Sequence, residues 1–237
     1  SDNLPPRFSQ IQYAWRCRTR ERARGITEVL DHNAEHVAAI THCEVRSEWV
    51  TKTRVGLANH AMAEITYGNL EQTGAPEFGE EAKTFAREIQ ANLGLTPMDD
   101  PFVAAMSELT PPEVAEAALR ESLPPWQVSY TSDDYVDYTW HTPTVRLFIG
   151  RPRLEIPEAG YQYPAWVWNA LGGYAPAIDP MVFAAARCIG ATIIDLLTDG
   201  AGLERARAEF DERTGGGIGG AKWVAPLLPS DFEAPNH

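Results

Sequence analysis

The chain has 237 residues, enough for one large domain or two small ones. Its 20 basic and 33 acidic residues give a formal net charge of −13, which argues against a surface built to wrap phosphate backbones. A hydrophobic content of 44% against 22% charged is ordinary for a soluble globular chain.

The opening, Ser1–Arg7, carries Pro5 and Pro6 and reads as a loop. In Phe8–Cys17 the residues Ile11, Tyr13, Trp15 and Cys17 alternate with polar neighbours, so a half-buried strand is expected. Thr19 can cap an amphipathic helix over Arg20–Ile40, where Ile26, Val29, Leu30, Val37 and Ala38 recur at helical spacing. Cys43–Val55 returns to strand character. Strand, helix and strand make half of a small α+β unit, too little to stand alone.

After Gly56 the texture changes. Leu57–Gln72 and Phe78–Leu93 read as helices separated by Gly74-Ala75-Pro76. Thr96–Pro112 reads as a loop, and Pro112–Ser122 as a short helix with proline in its first turn. Gln127–Thr131 and Val145–Ile149 are expected as short strands around a polar-aromatic stretch. Arg151–Tyr174 reads as loop-rich. Met181–Leu197 is a long apolar helix interrupted by Arg187 and Asp195, and Leu203–Arg213 is another helix. Thr214–Gly220 holds five glycines but lacks the strand-then-helix setting of a phosphate loop, so it reads as a flexible connection.

No stretch reads as a membrane span or as an opening signal sequence. The three cysteines, Cys17, Cys43 and Cys188, are widely spaced and fit a reducing compartment. A soluble, cytoplasmic protein without nucleic-acid or membrane partners is expected.

Several stretches carry a resemblance. They are DNLPPRFSQIQYAWRCRT, NLEQTGAPEFGEEAKTFAREIQ, SDDYVDYTWHTPT, AAARCIGATIIDLLTD and RARAEFDERTGG, in this order along the chain. Together they resemble the aminobenzoyl-glutamate utilisation protein B group of the aminoacylase and carboxypeptidase-G-like metallopeptidase superfamily. The resemblance implies an α/β fold with an α+β lid: residues 1–56 as the second half of a lid or dimerisation domain, and 57–237 as the C-terminal part of a catalytic domain. It also implies a complementary N-terminal chain carrying most of the metal ligands, and oligomerisation through the lid. The implied activity is hydrolysis of an amide bond in an N-acyl or aromatic amino acid-type substrate.

Site residues follow from the same resemblance. Asn3 and Arg16 match positions that hold a substrate carboxylate or the scissile carbonyl; a planar guanidinium beside an amide donor suits a carboxylate. Asp134 and Asp137 match acidic positions close to the reactive centre. His141 matches no family histidine and is read as a substrate-binding residue, a new ligand or a polar residue before a strand. Ile178 stands where the family has a ligand histidine, in Ala177-Ile178-Asp179-Pro180-Met181. Either Asp179 supplies a hard-oxygen ligand for a zinc or manganese ion, or the metal centre is altered, or it is absent.

Three further readings rest on the residues alone. His32 and His36, four apart, have zinc-helix spacing, but they lie opposite the apolar face and read as solvated. Ser1 has the hydroxyl and free amine of an N-terminal nucleophile hydrolase, against the plain reading of a chain end. From a different class, loss of the ligand histidine fits a non-catalytic partner subunit.

Overall fold

The computed structural model describes residues 7–17, 19–125 and 134–228. Seven α-helices form among them: α1 (Arg20–Thr41), α2 (His60–Thr73), α3 (Glu80–Asn92), α4 (Pro112–Ser122), α5 (Trp166–Gly173), α6 (Ala175–Thr198) and α7 (Gly200–Thr214). Short 3-10 turns add Ala104–Ser107 and Asp134–Trp140. Helices hold 55% of the described residues, and no strand forms among them. The class is therefore α-helical, and the expected α/β architecture with an α+β lid is corrected.

The physical reason lies in the expected strands. Period-two alternation says which face is to be buried, but a strand exists only against a neighbour. Phe8–Cys17 and Cys43–Val55 have no regular structure, and Ile11 (73% exposed) and Val50 (73%) stand in solvent. The two segments touch through Trp15 and Trp49, whose ring centroids are 5.2 Å apart, without forming a ladder. Val145–Ile149 is likewise irregular, and Gln127–Thr131 lies outside the described residues. One isolated antiparallel bridge joins Phe102 and Leu154.

The helices begin and end where the caps dictate. Thr19 accepts from the Arg22 amide to start α1, and His42 closes it in the left-handed region at φ 53°. Yet α1 buries no residue. Asn59 accepts from the Met62 amide at 2.9 Å to start α2, and Asp199 caps α7 through the Ala201 and Gly202 amides.

At the centre lies α6, which touches α2, α3, α5 and α7. It packs with small side chains, burying Ala177, Ala184, Cys188 and Thr192. The Cys188 thiol donates to the Thr66 carbonyl at 3.4 Å, and Asn69 on α2 donates to Asp195 at 2.6 Å. The opposite side of α6 is apolar and open. The helix begins six residues earlier than the expected Met181–Leu197, since Pro176 is tolerated in its first turn and Pro180 sits inside it at the cost of one backbone bond. At 24 residues it is long and apolar enough to cross a membrane, by length and composition only.

The main core gathers Phe78, Ala82, Ala86 and Ile89 around α3 against Val167 and Leu171 of α5. Here the expected loop contains a helix, because Val167 and Leu171 lie four apart and both turn inward. The fully buried Gln90 is satisfied: it donates to the Tyr163 hydroxyl and accepts from the Met98 amide. Burial pushes the Tyr163 hydroxyl above its ordinary pKa.

Candidate functional site

The densest polar junction forms where the segment before α2 crosses the turn Asp134–Trp140. Arg54 is its hub, with only 3% of its side chain exposed. Its Nε donates to Asp137 Oδ1 at 2.6 Å, its Nη1 to the Val224 carbonyl at 2.8 Å and its Nη2 to the Asp137 carbonyl at 2.9 Å. The same Nη2 lies 3.1 Å from His141 Nε2. All three guanidinium nitrogens are engaged, so the fork is held in one place.

Indole and hydroxyl donors fasten the surroundings. Trp140 Nε1 donates to the Val55 carbonyl at 2.7 Å, and Trp223 Nε1 donates to the Trp140 carbonyl at 2.6 Å. The Leu57 amide donates to Thr139 Oγ1 at 2.9 Å. Gly56 permits the close crossing, since a Cβ there would lie 3.2 Å from Val136 Cγ1. The glycine-rich run past α7 is a folded turn, not a loose connection. Gly215 and Gly217 take positive φ, and the Lys222 amide returns to the Thr214 carbonyl at 2.8 Å. This reversal brings Trp223 beside His141, with ring centroids 6.1 Å apart and planes at 83°.

Of the expected site residues, Asp137 and His141 are brought together, through Arg54. Asp134 opens the 3-10 turn, but its side chain lies outside the described residues. Ser1 and Asn3 also lie outside them. Arg16 is exposed in an irregular segment rather than on a strand face. Asp179 lines a different cavity, of about 530 Å³, together with Glu77, Phe183 and Arg187.

Arg54, Thr139 and Trp223 were not singled out from the sequence. No local signal marks Arg54: it stands between Thr53 and Val55, two residues past Lys52, and its side-chain partners lie far along the chain.

The metal question turns on donors. Among the described residues no three His, Cys, Asp or Glu side chains converge. Asp179 offers one carboxylate with Arg187 lining the same cavity, so the described donors do not make up a metal site. His36 turns its Nδ1 to the His32 carbonyl at 2.8 Å, and that pair stays with its own helix.

A second polar cluster lies at the start of α2, beside a cavity of about 590 Å³ lined by His60, Glu64, Arg205, Glu209, Arg213 and Lys222, among others. Glu209 Oε2 accepts from the Ala61 amide at 3.0 Å, and Oε1 accepts from Arg213 Nη2 at 2.8 Å. Burial pushes the Glu209 carboxyl up. The backbone donors of His60 and Ala61 and the Arg213 guanidinium together outweigh it, and hold the group below its ordinary pKa. This arrangement caps a helix.

No protein-family model matches the chain, and no curated protein or solved structure matches it.

Proposed function

We propose that this chain is the C-terminal portion of an amidohydrolase, closed by a complementary segment, that cleaves the amide bond of an N-acyl or aromatic amino acid. The observation that carries the proposal is the open face of α6. Val182 (47% exposed), Ile189 (48%), Ile193 (52%) and Leu197 (80%) follow one another at spacings of seven, four and four along it. Phe183 and Ile194 widen the stripe. Such a surface has to be covered.

A complementary chain segment is the occupant favoured here. The irregular segments Phe8–Cys17 and Cys43–Val55 also leave apolar side chains such as Ile11 and Val50 in solvent, so one partner that covers them and α6 answers both needs. The sequence resemblance points to the same missing part. In this reading Asp137 and His141, with Asp134, contribute to the reactive pocket, and Arg16 and Asn3 hold the substrate carboxylate. Any divalent zinc or manganese ion would be held mainly by the partner's donors, with Asp179 offering a single oxygen. When bound, such an ion supplies an activated water.

One observation favours a second reading, a non-catalytic partner subunit. Ile178 replaces the ligand histidine, and Asp179 lines its cavity beside Arg187. Assaying the purified assembly against a panel of N-acyl and N-aroyl amino acids, with and without any co-purifying homologue, separates the two. Hydrolysis that needs Asp137, lost in Asp137→Asn with the assembly intact, supports the enzyme. Hydrolysis indifferent to this chain's residues supports the scaffold.

A further inference from the structure

The hydrogen bond between Arg54 and His141 has a direction that chemistry fixes. A guanidinium has donors and no acceptor. At 3.1 Å from Arg54 Nη2, His141 Nε2 must therefore offer its lone pair, which leaves the ring proton on Nδ1. The guanidinium cannot swing away to accept another arrangement, because Asp137 Oδ1 and the Asp137 and Val224 carbonyls already anchor it. A protonated ring would set N–H against N–H and charge against charge.

We infer that Arg54 is a positioning residue that fixes His141 as the Nδ1–H tautomer, and that this N–H is a neutral donor for the uncharged carbonyl oxygen of an amide substrate. His141 is exposed, and no described residue takes its Nδ1. The edge-on Trp223 ring stands beside it as an apolar wall for the group that carries the carbonyl. An uncharged oxygen fits better than a carboxylate. The Arg54 charge is already matched by Asp137, whose side chain is 41% exposed at the same junction and repels a second anion. With Nε2 occupied, His141 is neither a general base nor a metal ligand through that nitrogen. The ligand half of this inference rests on the amidohydrolase reading; the tautomer half does not.

The test is a long-range proton–nitrogen spectrum of the imidazoles in the full chain, in its native assembly, at a pH where free imidazole is neutral. His141→Gln assigns the resonances. The expected pattern is a protonated Nδ1 and an unprotonated Nε2; the opposite tautomer, the one favoured by free histidine, overturns the inference. Arg54→Lys keeps the donor and should keep the pattern, whereas Arg54→Met should release it. A folded Arg54→Met that retains the pattern removes Arg54 from the account. Should Arg54→Met not fold, the wild-type and Arg54→Lys spectra still decide.

N-acetylphenylalaninamide should then move the His141 Nδ1–H resonance, and sodium acetate should not. An equal shift with acetate, or none with the amide, overturns the assignment of an uncharged oxygen. A chain with the expected tautomer and no hydrolysis refutes the amidohydrolase reading alone. A hydrolysing chain with Nε2–H refutes this inference alone.

Discussion

Arg54 and Asp137, 83 positions apart in the chain, meet through a 2.6 Å charge-assisted hydrogen bond in which the cation is buried and the carboxylate is half open to water. The asymmetry matters energetically. The exposed carboxylate is cheap to leave alone, while the buried acceptors around Arg54 are not. Arg54→Ala should cost about 2–3 kcal/mol, read as a lower urea midpoint with an unchanged slope. Asp137→Asn should cost about 1 kcal/mol, because its partner keeps three other acceptors. Equal losses in the two variants would contradict this ordering.

The glycine turn after α7 holds Trp223 against the Trp140 carbonyl. A Cβ at Gly220 would lie 2.6 Å from the Thr214 carbonyl oxygen, a backbone atom that cannot give way. Gly220→Ala is expected to destabilise by roughly 2 kcal/mol or more and to increase quenching of tryptophan fluorescence by acrylamide. Gly219→Ala meets no atom within 4 Å, but its φ of 82° carries strain of roughly 1 kcal/mol. A Gly220 variant as stable as wild type would show that the turn is loose.

Asn59 caps α2 and also donates from Nδ2 to the Ala206 carbonyl at 2.8 Å, tying α2 to α7. Since the side chain is buried, Asn59→Ala loses both bonds and should cost about 2 kcal/mol. Asn59→Asp keeps the cap but sets a buried carboxylate oxygen against the Ala206 carbonyl, so it should cost at least as much as Asn59→Ala. Thermal unfolding of the three proteins checks the order.

Glu209 links stability to pH. Its carboxyl is held below the ordinary value in the folded chain, so its contribution is complete above the unfolded carboxylate range and is lost as the pH falls through the folded value. Glu209→Gln should cost about 1–2 kcal/mol at neutral pH and should flatten the acid limb of the stability curve. An acid limb as steep as wild type would show that other carboxylates govern it.

Much of the helical content was legible in the sequence. Thr19 is a side chain that stops one conformation and starts another locally, and the helix it caps needed no distant partner to be foreseen; the caps at Asn59 and Asp199 were not read, so α2 and α7 were expected from Leu57 and Leu203 instead of His60 and Gly200. The strands failed because Ile11, Tyr13 and Val50 state a burial preference that only a neighbouring ladder can meet, and none is present among the described residues. At the candidate site Asp137 and His141 could be read from the polar-aromatic stretch. Arg54 could not, because its partners lie more than eighty positions away and no local pattern records them. Trp223 depends on the glycine turn, whose composition resembles a loose linker until the Thr214 bonds are seen.

The most direct measurement is the native mass of the assembly purified gently without detergent. A covered α6 predicts a second, different polypeptide bound to this chain. It also predicts that Ile193→Arg, at a site 52% exposed here, releases that polypeptide without unfolding the chain. A lone monomer of 26.2 kDa that stays soluble, an assembly of this chain alone, or a chain recovered only with lipid would contradict the account.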